Sequence, residues 1–258
     1  MKKILLDIGG TFIKCSDGRE IPVNSAGTSD EICASLRDAV GDYDCVRAAI
    51  PGPFDYATGH FMMKHKFAAV YGKYFQDIVG VQDCRFIHDV NCMLLGEMTA
   101  GNGKGYGKVA IIALGTGLGF SMSIDGKILK NELGSPEVSI FKRPYRDGIL
   151  EDYASKRGIY RLYGDDSVTV KEIGRRAVCG EERAKEAFAQ MGSILGEAVA
   201  PIMKEYEIEC LLLGGQISHN SSLFAPQIQA ELSKLGLDLS ITPISDFGNA
   251  TFCGLENI

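Results

Sequence analysis

The chain has 258 residues, 45% hydrophobic and 23% charged, enough for a substantial core in one or two domains. Its formal net charge of −6 and pI near 5.3 exclude a generally basic surface of the kind that displaces counterions from nucleic acid, so no nucleic-acid partner is expected. No apolar run reaches the roughly 18 residues of a membrane span, and Met1-Lys2-Lys3 leads into a strand without an apolar signal region, so a cytoplasmic protein with no membrane partner is expected.

The first strand, predicted over residues 4–7, lies in Leu5-Leu6-Asp7-Ile8-Gly9-Gly10-Thr11-Phe12-Ile13-Lys14, where an apolar run ends in an acid, two glycines and a threonine. It resumes as a strand over residues 12–16. Paired glycines permit backbone angles closed to other residues and let amides turn toward an anion. Asp7 is tolerable beside a polyphosphate when a cation lies between, which suggests a magnesium nucleotide with Asp7 reaching the metal through water. A plain Gly-Gly β-turn with Asp as turn former also explains the glycines. A third strand is expected near residues 20–23, then a helix over 29–40 capped by Ser29, with Asp30 and Glu31 at the positive end of its dipole. A strand over 45–50 stops at Pro51-Gly52-Pro53. A short strand over 85–88 delivers Asp89 at its carboxyl end, where active residues collect in open α/β sheets. A helical pattern over 91–100 follows, so Asp89 also has the place of a helix N-cap.

The glycine-rich segment from Gly101 to Gly107 is the expected lobe boundary, dividing the chain into residues 1–105 with about 245–258, and residues 106–244. A buried-strand run over 109–114 enters a second turn, Gly115-Thr116-Gly117-Leu118-Gly119, and resumes through Ile124. Helical patterns are expected near 149–158, 169–178 and 181–206, the last kinked by Pro201. A strand then runs into the paired glycines Gly214 and Gly215, followed by a helix near 226–235, a strand near 240–243 and a short terminal helix after Gly248. No G-x-x-x-x-G-K-[ST] occurs, and the spacing of Gly115, Gly117 and Gly119 does not match G-x-G-x-x-G. Strand-rich and helix-rich stretches recur in similar order, each half opened by a phosphate turn, which suits two lobes closing over a nucleotide.

The ordered motifs Asp7-Ile-Gly-Gly-Thr11, Ile50-Pro-Gly-Pro53, His88-Asp-Val-Asn91, Leu114-Gly-Thr-Gly-Leu-Gly119, Glu132-Leu-Gly134, Glu151-Asp-Tyr-Ala-Ser155 and Leu213-Gly-Gly-Gln-Ile-Ser218 resemble the ROK family of sugar kinases and sugar-sensing repressors. The resemblance runs from end to end. It implies an α/β, two-lobed actin-like ATPase (ribonuclease H-like) fold with the active site in the interlobe cleft. It also implies ATP-dependent phosphorylation of a hexose or hexosamine, with Asp89 as general base and ATP and Mg²⁺ as cofactors. Phosphate would be held by Gly9, Gly10 and Thr11 and by Gly115, Thr116 and Gly117, with Gly214 and Gly215 against the nucleoside or simply making a tight turn. Sugar contacts would come from Gly52, His88, Asp89, Glu132, Ser135 and Glu151.

Two positions depart from the family pattern: its asparagine before the catalytic aspartate is His88 here, and the histidine of Glu-x-Gly-His is Ser135. His88 is either a sugar contact or a packed neutral ring. A serine in place of imidazole leaves room, which predicts a sugar bulkier than glucose near that position. His65, within Lys64-His65-Lys66-Phe67, has no second ligand at metal-binding spacing and belongs to a basic surface or sugar-cleft loop. Many relatives carry a C-x-C-G-x-x-G-C zinc loop. The corresponding residues 135–150 contain neither cysteine nor histidine, so no zinc site of that type is expected. The eight cysteines are scattered without a C-x-x-C and read as small core hydrophobes. The family alternatives are a non-catalytic sugar-binding or regulatory protein without a DNA-binding domain, and polyphosphate as donor; a homodimer is the family default.

Overall fold

The computed structural model describes residues 2–258 and divides into two compact units. The first takes the chain as far as Ala100, returns for Leu129–Glu137 and ends with Gly248–Ile258; the second comprises Gly101–Ile128 and Val138–Phe247. In the first unit β1 (Lys3–Ile8), β2 (Phe12–Cys15) and β3 (Glu20–Pro22) form an antiparallel meander. Helix α1 (Ser29–Val40) crosses to β4 (Cys45–Ile50), which runs parallel to β1. A small hairpin of β5 (Phe54–Asp55) and β6 (His60–Phe61) and a short helix α2 (Phe75–Val79) precede β7 (Asp83–His88), parallel to β4, and helix α3 (Asp89–Ala100). The sheet order is β3-β2-β1-β4-β7.

The central strands are mostly buried, as apolar runs in a two-sided sheet must be. Every residue of β4 is buried, including Arg47, whose Nη1 reaches Asp83 Oδ1 at 2.9 Å. Phe54, Phe61 and Phe75 pack largely edge to face against one another and Phe86 beneath the loops that follow β4. Helix α1 is capped not by Ser29 but by Thr28. The Glu31 amide donates to Thr28 Oγ1, and the Thr28 amide donates to Glu31 Oε2 at 2.7 Å. This reciprocal capping box satisfies two orphan donors where a lone serine would satisfy one.

The second unit repeats the same path. Its meander is β8 (Lys108–Leu114), β9 (Leu118–Ile124) and β10 (Lys127–Ile128). A hairpin of β11 (Pro144–Tyr145) and β12 (Gly148–Ile149) leads to α4 (Lys156–Tyr163), α5 (Val170–Val178) and α6 (Glu182–Glu205), which carries on through Pro201. Strand β13 (Cys210–Gly214) lies parallel to β8, α7 (Ala225–Ser233) follows, and β14 (Ser240–Pro243) lies parallel to β13. The order β10-β9-β8-β13-β14 matches the first sheet strand for strand in order and direction. The last helix, α8 (Ala250–Leu255), belongs to the first unit and packs on α3.

Two stretches differ from the sequence expectation. The helix predicted over residues 149–158 is instead the end of a hairpin, a 3-10 turn at Leu150–Asp152, and then α4. The chain folds back so closely that a Cβ on Gly158 would lie 2.2 Å from the Tyr153 carbonyl carbon, and Ser155 Oγ donates to the Glu151 carbonyl. The segment Leu129–Glu137, expected in the second lobe, is tied to the first unit: the Tyr56 amide donates to the Leu133 carbonyl and Asn91 Nδ2 to the Gly134 carbonyl. Among the described residues no helix is long and apolar enough to cross a membrane. All eight cysteines are free thiols, five of them buried.

Candidate active site

The turn between β1 and β2 keeps its glycines for space rather than for unusual backbone angles. Neither Gly9 nor Gly10 adopts a positive φ, but a Cβ on Gly9 would lie 3.0 Å from the Phe12 carbonyl oxygen and one on Gly10 3.2 Å from Ser25 Oγ. The Gly9 amide closes the turn on Phe12 at 2.9 Å, so it is not free to hold a ligand. The amides of Gly10 and Thr11 have no protein acceptor among the described residues. The turn between β8 and β9 behaves alike. The Gly115 amide bonds the Gly117 carbonyl at 3.0 Å, and among the described residues the amides of Thr116 and Gly117 have no acceptor. Each unit therefore carries two adjacent free amides at the end of its first strand, a concave donor pair suited to an anion.

Asp89 begins α3 at the carboxyl end of β7. Its Oδ1 is 2.9 Å from His88 Nδ1 and 2.8 Å from the Val90 amide. The same amide is 3.3 Å from His88 Nδ1. The shorter contact, to an anion, is the stronger bond, which leaves Nδ1 carrying a hydrogen toward Asp89. Burial pushes the Asp89 carboxyl up, but the His88 charge and hydrogen bond, the Val90 amide and Lys66 outweigh it and hold the group below the usual carboxylate range. Asp89 is thus an oriented carboxylate with 39% of its side chain open. Asp89 is the first residue of α3 rather than the N-cap expected before it, and a role as base is open to it, since Oδ1 serves the Val90 amide and His88 while Oδ2 is left for chemistry.

Around it the first unit gathers several of the expected sugar residues. A Cβ on Gly52 would lie 3.2 Å from Ser135 Oγ, 3.3 Å from His88 Cδ2 and 3.4 Å from the Tyr56 hydroxyl. Glu132 is exposed on the same 129–137 loop. Asn91 is fully buried. Tyr56 was not singled out by the sequence, and Asn91 only as the end of the His88-Asp-Val-Asn91 motif with no role attached. They fasten the loop that carries Ser135, and Tyr56 donates to the Ile50 carbonyl at 2.8 Å. A buried amide three residues into a helix was the available signal for Asn91.

Glu151 lies in the second unit beside the glycine turn. Its Oε2 accepts the Leu118 amide at 2.8 Å and its Oε1 accepts Arg157 Nη2 at 2.8 Å. A Cβ on Gly117 would come within 2.7 Å of that carboxylate, which is why a glycine stands there. Of the expected phosphate- and nucleoside-turn residues Gly9, Gly10, Gly115, Gly117, Gly214 and Gly215, Gly215 alone has a positive φ, +79°, and a Cβ there would sit 2.3 Å from the Leu114 carbonyl oxygen. Ser218 seals this strand-to-helix turn by bonding the Gly214 carbonyl at 2.6 Å.

The ROK family model matches residues 79–251. The chain belongs to the ROK family. Among its relatives, the N-acetylgalactosamine kinase AgaK of Shewanella sp. (strain ANA-3) is 29% identical over 64% of this chain and 60% of its own length. The N-acetyl-D-glucosamine kinase of Pectobacterium carotovorum subsp. carotovorum (strain PC1) is 25% identical over 55% of this chain and 54% of its own length. The chain thus aligns with less than two thirds of the length of these relatives. A ROK family glucokinase from Streptomyces griseus, solved in complex with glucose and AMPPNP, superimposes with a TM-score of 0.82 at 20% identity, covering 100% of this chain and 98% of that one. The shared fold is the actin-like ATPase fold, whose repeated sheet order both units display.

As a ROK protein this chain has the acidic first strand but no ready-made metal cage: among the described residues no three His, Cys, Asp or Glu side chains cluster to hold an ion. Magnesium is ordinarily held by one or two carboxylates, waters and substrate phosphates, so the test is whether the charges around Asp7 leave its negative charge in excess. Burial and then the Asp89 charge push the Asp7 carboxyl up to about 6, against the opposing pull of Lys14 across the hairpin. A carboxylate with that excess of negative charge fits a cation.

The same shift makes a stability prediction. With a folded pKa of about 6 against an ordinary aspartate value of 3.8, the native state holds its proton more tightly than the unfolded chain. That contribution is complete below pH 4 and is lost as pH rises through about 6. Asp7→Asn is therefore expected to match the parent protein near pH 4 and to exceed it by about 1–2 kcal/mol at pH 7, allowing for partial exposure. Denaturant unfolding of both proteins across that range, with chelator present, checks this; an asparagine variant less stable at pH 7 contradicts it.

Proposed function

We propose that this ROK protein transfers the γ-phosphoryl group of ATP to a hydroxyl of a hexose or hexosamine, with Asp89 as general base. The observation that carries the reading is Asp89 itself: an ionised, His88-oriented carboxylate at a strand end, in the same unit as Asp7 and the free amides of Gly10 and Thr11. The acceptor oxygen forms a bond to the γ-phosphorus as the bond to the bridging oxygen breaks. The electron pair leaves on ADP and the acceptor's proton passes to Asp89. The amide pairs Gly10–Thr11 and Thr116–Gly117 hold phosphate oxygens, and Gly214–Gly215 lies against the nucleoside. When bound, Mg²⁺ would neutralise phosphate charge, with Asp7 holding it through water.

Gly52, His88 and Ser135 line the sugar side, with Glu132 at its rim. Glu151 stays in the proposed set because each oxygen, already fixed by one donor, keeps a lone pair for a hydroxyl. Ser135 leaves space that imidazole would fill, and two relatives are named as kinases of N-acetylated hexosamines, which supports a substrate bearing a substituent on the ring. The test is ADP formation from ATP and Mg²⁺ with a panel of hexoses, amino sugars and N-acetyl amino sugars, and polyphosphate as a second donor. Turnover with an amino or N-acetyl amino sugar above that with glucose, and ATP above polyphosphate, is the expected result. Glucose outperforming every other sugar would overturn the argument from Ser135. Sugar binding without turnover would make the chain a non-catalytic sugar-binding protein.

A further inference from the structure

Resting on that reading, we infer that Lys66 is a catalytic residue that binds the phosphoryl group in transfer. The backbone next to it is strained: Phe67 has φ 51° and ψ 24°, in the left-handed region that a bulky residue enters only when its surroundings compel it. Its surroundings do so. The Phe67 ring is wholly buried and packs 5.9 Å from the Phe61 ring, and its amide donates to the Ser25 carbonyl at 2.6 Å. The Ser25 amide in turn donates to the Gly10 carbonyl at 3.2 Å. The strained residue is thus coupled through a single intermediary to the turn whose free amides face the phosphates.

Lys66 is carried by this frame along the same turn. A Cβ on Gly10 would lie 3.9 Å from Lys66 Cδ, so the stem runs beside the glycine, and its charge is one of those that stabilise the Asp89 carboxylate. The Lys66 ammonium has no protein acceptor among the described residues, as is also true of other lysines such as Lys14 and Lys104; what sets it apart is that it lies beside Gly10 and acts on Asp89. An unpaired cation on a rigid mount, between a phosphate-binding turn and the base, lies where the transferring group must pass. There it offers hydrogen bonds to the oxygens of that group while the acceptor–phosphorus bond forms, the bridging bond breaks toward ADP, and the proton goes to Asp89. A free lysine is suited to this because its ammonium acts as a mobile point charge rather than a fixed fork.

The experiment compares the full-length protein with Lys66→Met and Lys66→Arg in binding ADP and ADP with beryllium fluoride, and in sugar phosphorylation. Lys66→Met is expected to bind ADP like the parent but the γ-phosphate mimic about 10-fold or more weakly, and to lose about 100-fold in kcat with sugar KM little changed. Lys66→Arg, which keeps the charge, is expected to recover most of the mimic binding. Equal losses for ADP and the mimic, or none, would overturn the inference. So would a loss confined to binding of acidic sugars, which would make Lys66 an acceptor contact. A parent protein that phosphorylates no sugar, yet loses mimic binding selectively on Lys66→Met, would overturn the kinase reading and leave the phosphoryl contact standing.

Discussion

Asp89→Asn is expected to lower kcat for sugar phosphorylation by about 10²–10⁴-fold while leaving sugar KM close to that of the parent. Asparagine keeps the shape of the side chain and an oxygen that can accept the Val90 amide, so the start of α3 and the contact from His88 persist. It loses the capacity to take up the acceptor's proton. Stability at pH 7 is expected to change little, because removing the Asp89 charge forfeits its favourable interactions with His88 and Lys66 while relieving the repulsion that helps push Asp7 up to about 6. Loss of turnover with retained stability separates a chemical defect from a folding one. Steady-state kinetics beside denaturant unfolding checks this, and activity within tenfold of the parent would remove Asp89 from the role of base.

What the sequence told of this site divides by the kind of force involved. The strand-end positions of Asp7, His88 and Asp89 were legible because apolar runs that stop at an acid or at glycines mark where a strand ends. The glycines were legible as turns, but the reason for them was not. At Gly9 and Gly10 the structure shows close approach rather than positive φ, and it commits the Gly9 amide to Phe12, leaving the next two amides for a ligand. Pairing of that kind depends on hairpin register, which composition does not reveal. The anchoring roles of Tyr56 and Asn91 depend on the excursion of residues 129–137 back to the first unit, a long-range contact with no local signature. Lys66 was visible only as part of a basic tetrad. Its meaning comes from the strained backbone at Phe67 and its place beside Gly10, acting on Asp89.

The fold was legible wherever period and punctuation agreed. Strands ending at glycine turns and the amphipathic stretches of α1, α5 and α6 follow from burial of one face, and the duplicated order follows from repeating them. It failed where short elements answer to neighbours rather than to their own sequence. The hairpins β5–β6 and β11–β12 have two residues per strand, too few for any period to register. The helix expected over residues 149–158 obeyed an apolar pattern, but the fold-back at Gly158 interrupts it.

The packing of α8 on α3 makes the last prediction, and its sign opposes intrinsic propensity. In an unencumbered helix, Gly→Ala stabilises by about 1 kcal/mol. Gly96 and Gly254 are not unencumbered: a Cβ on Gly96 would lie 2.0 Å from the Ala250 carbonyl oxygen, and one on Gly254 2.0 Å from the Cys92 carbonyl oxygen. Both obstacles are backbone, which cannot rotate aside as a side chain can, so the helices must separate. Gly96→Ala and Gly254→Ala are each expected to destabilise by roughly 3 kcal/mol, lowering the melting temperature of the protein by about 6–12 °C. Because either substitution opens the same crossing, the double variant should lose less than the sum of the two. Since α3 begins at Asp89, loosening the crossing should also reduce kcat at temperatures where the variants stay folded. Thermal unfolding of the three variants decides the matter: an unchanged or higher melting temperature for either single substitution would mean that α8 does not bear on α3 as closely as described.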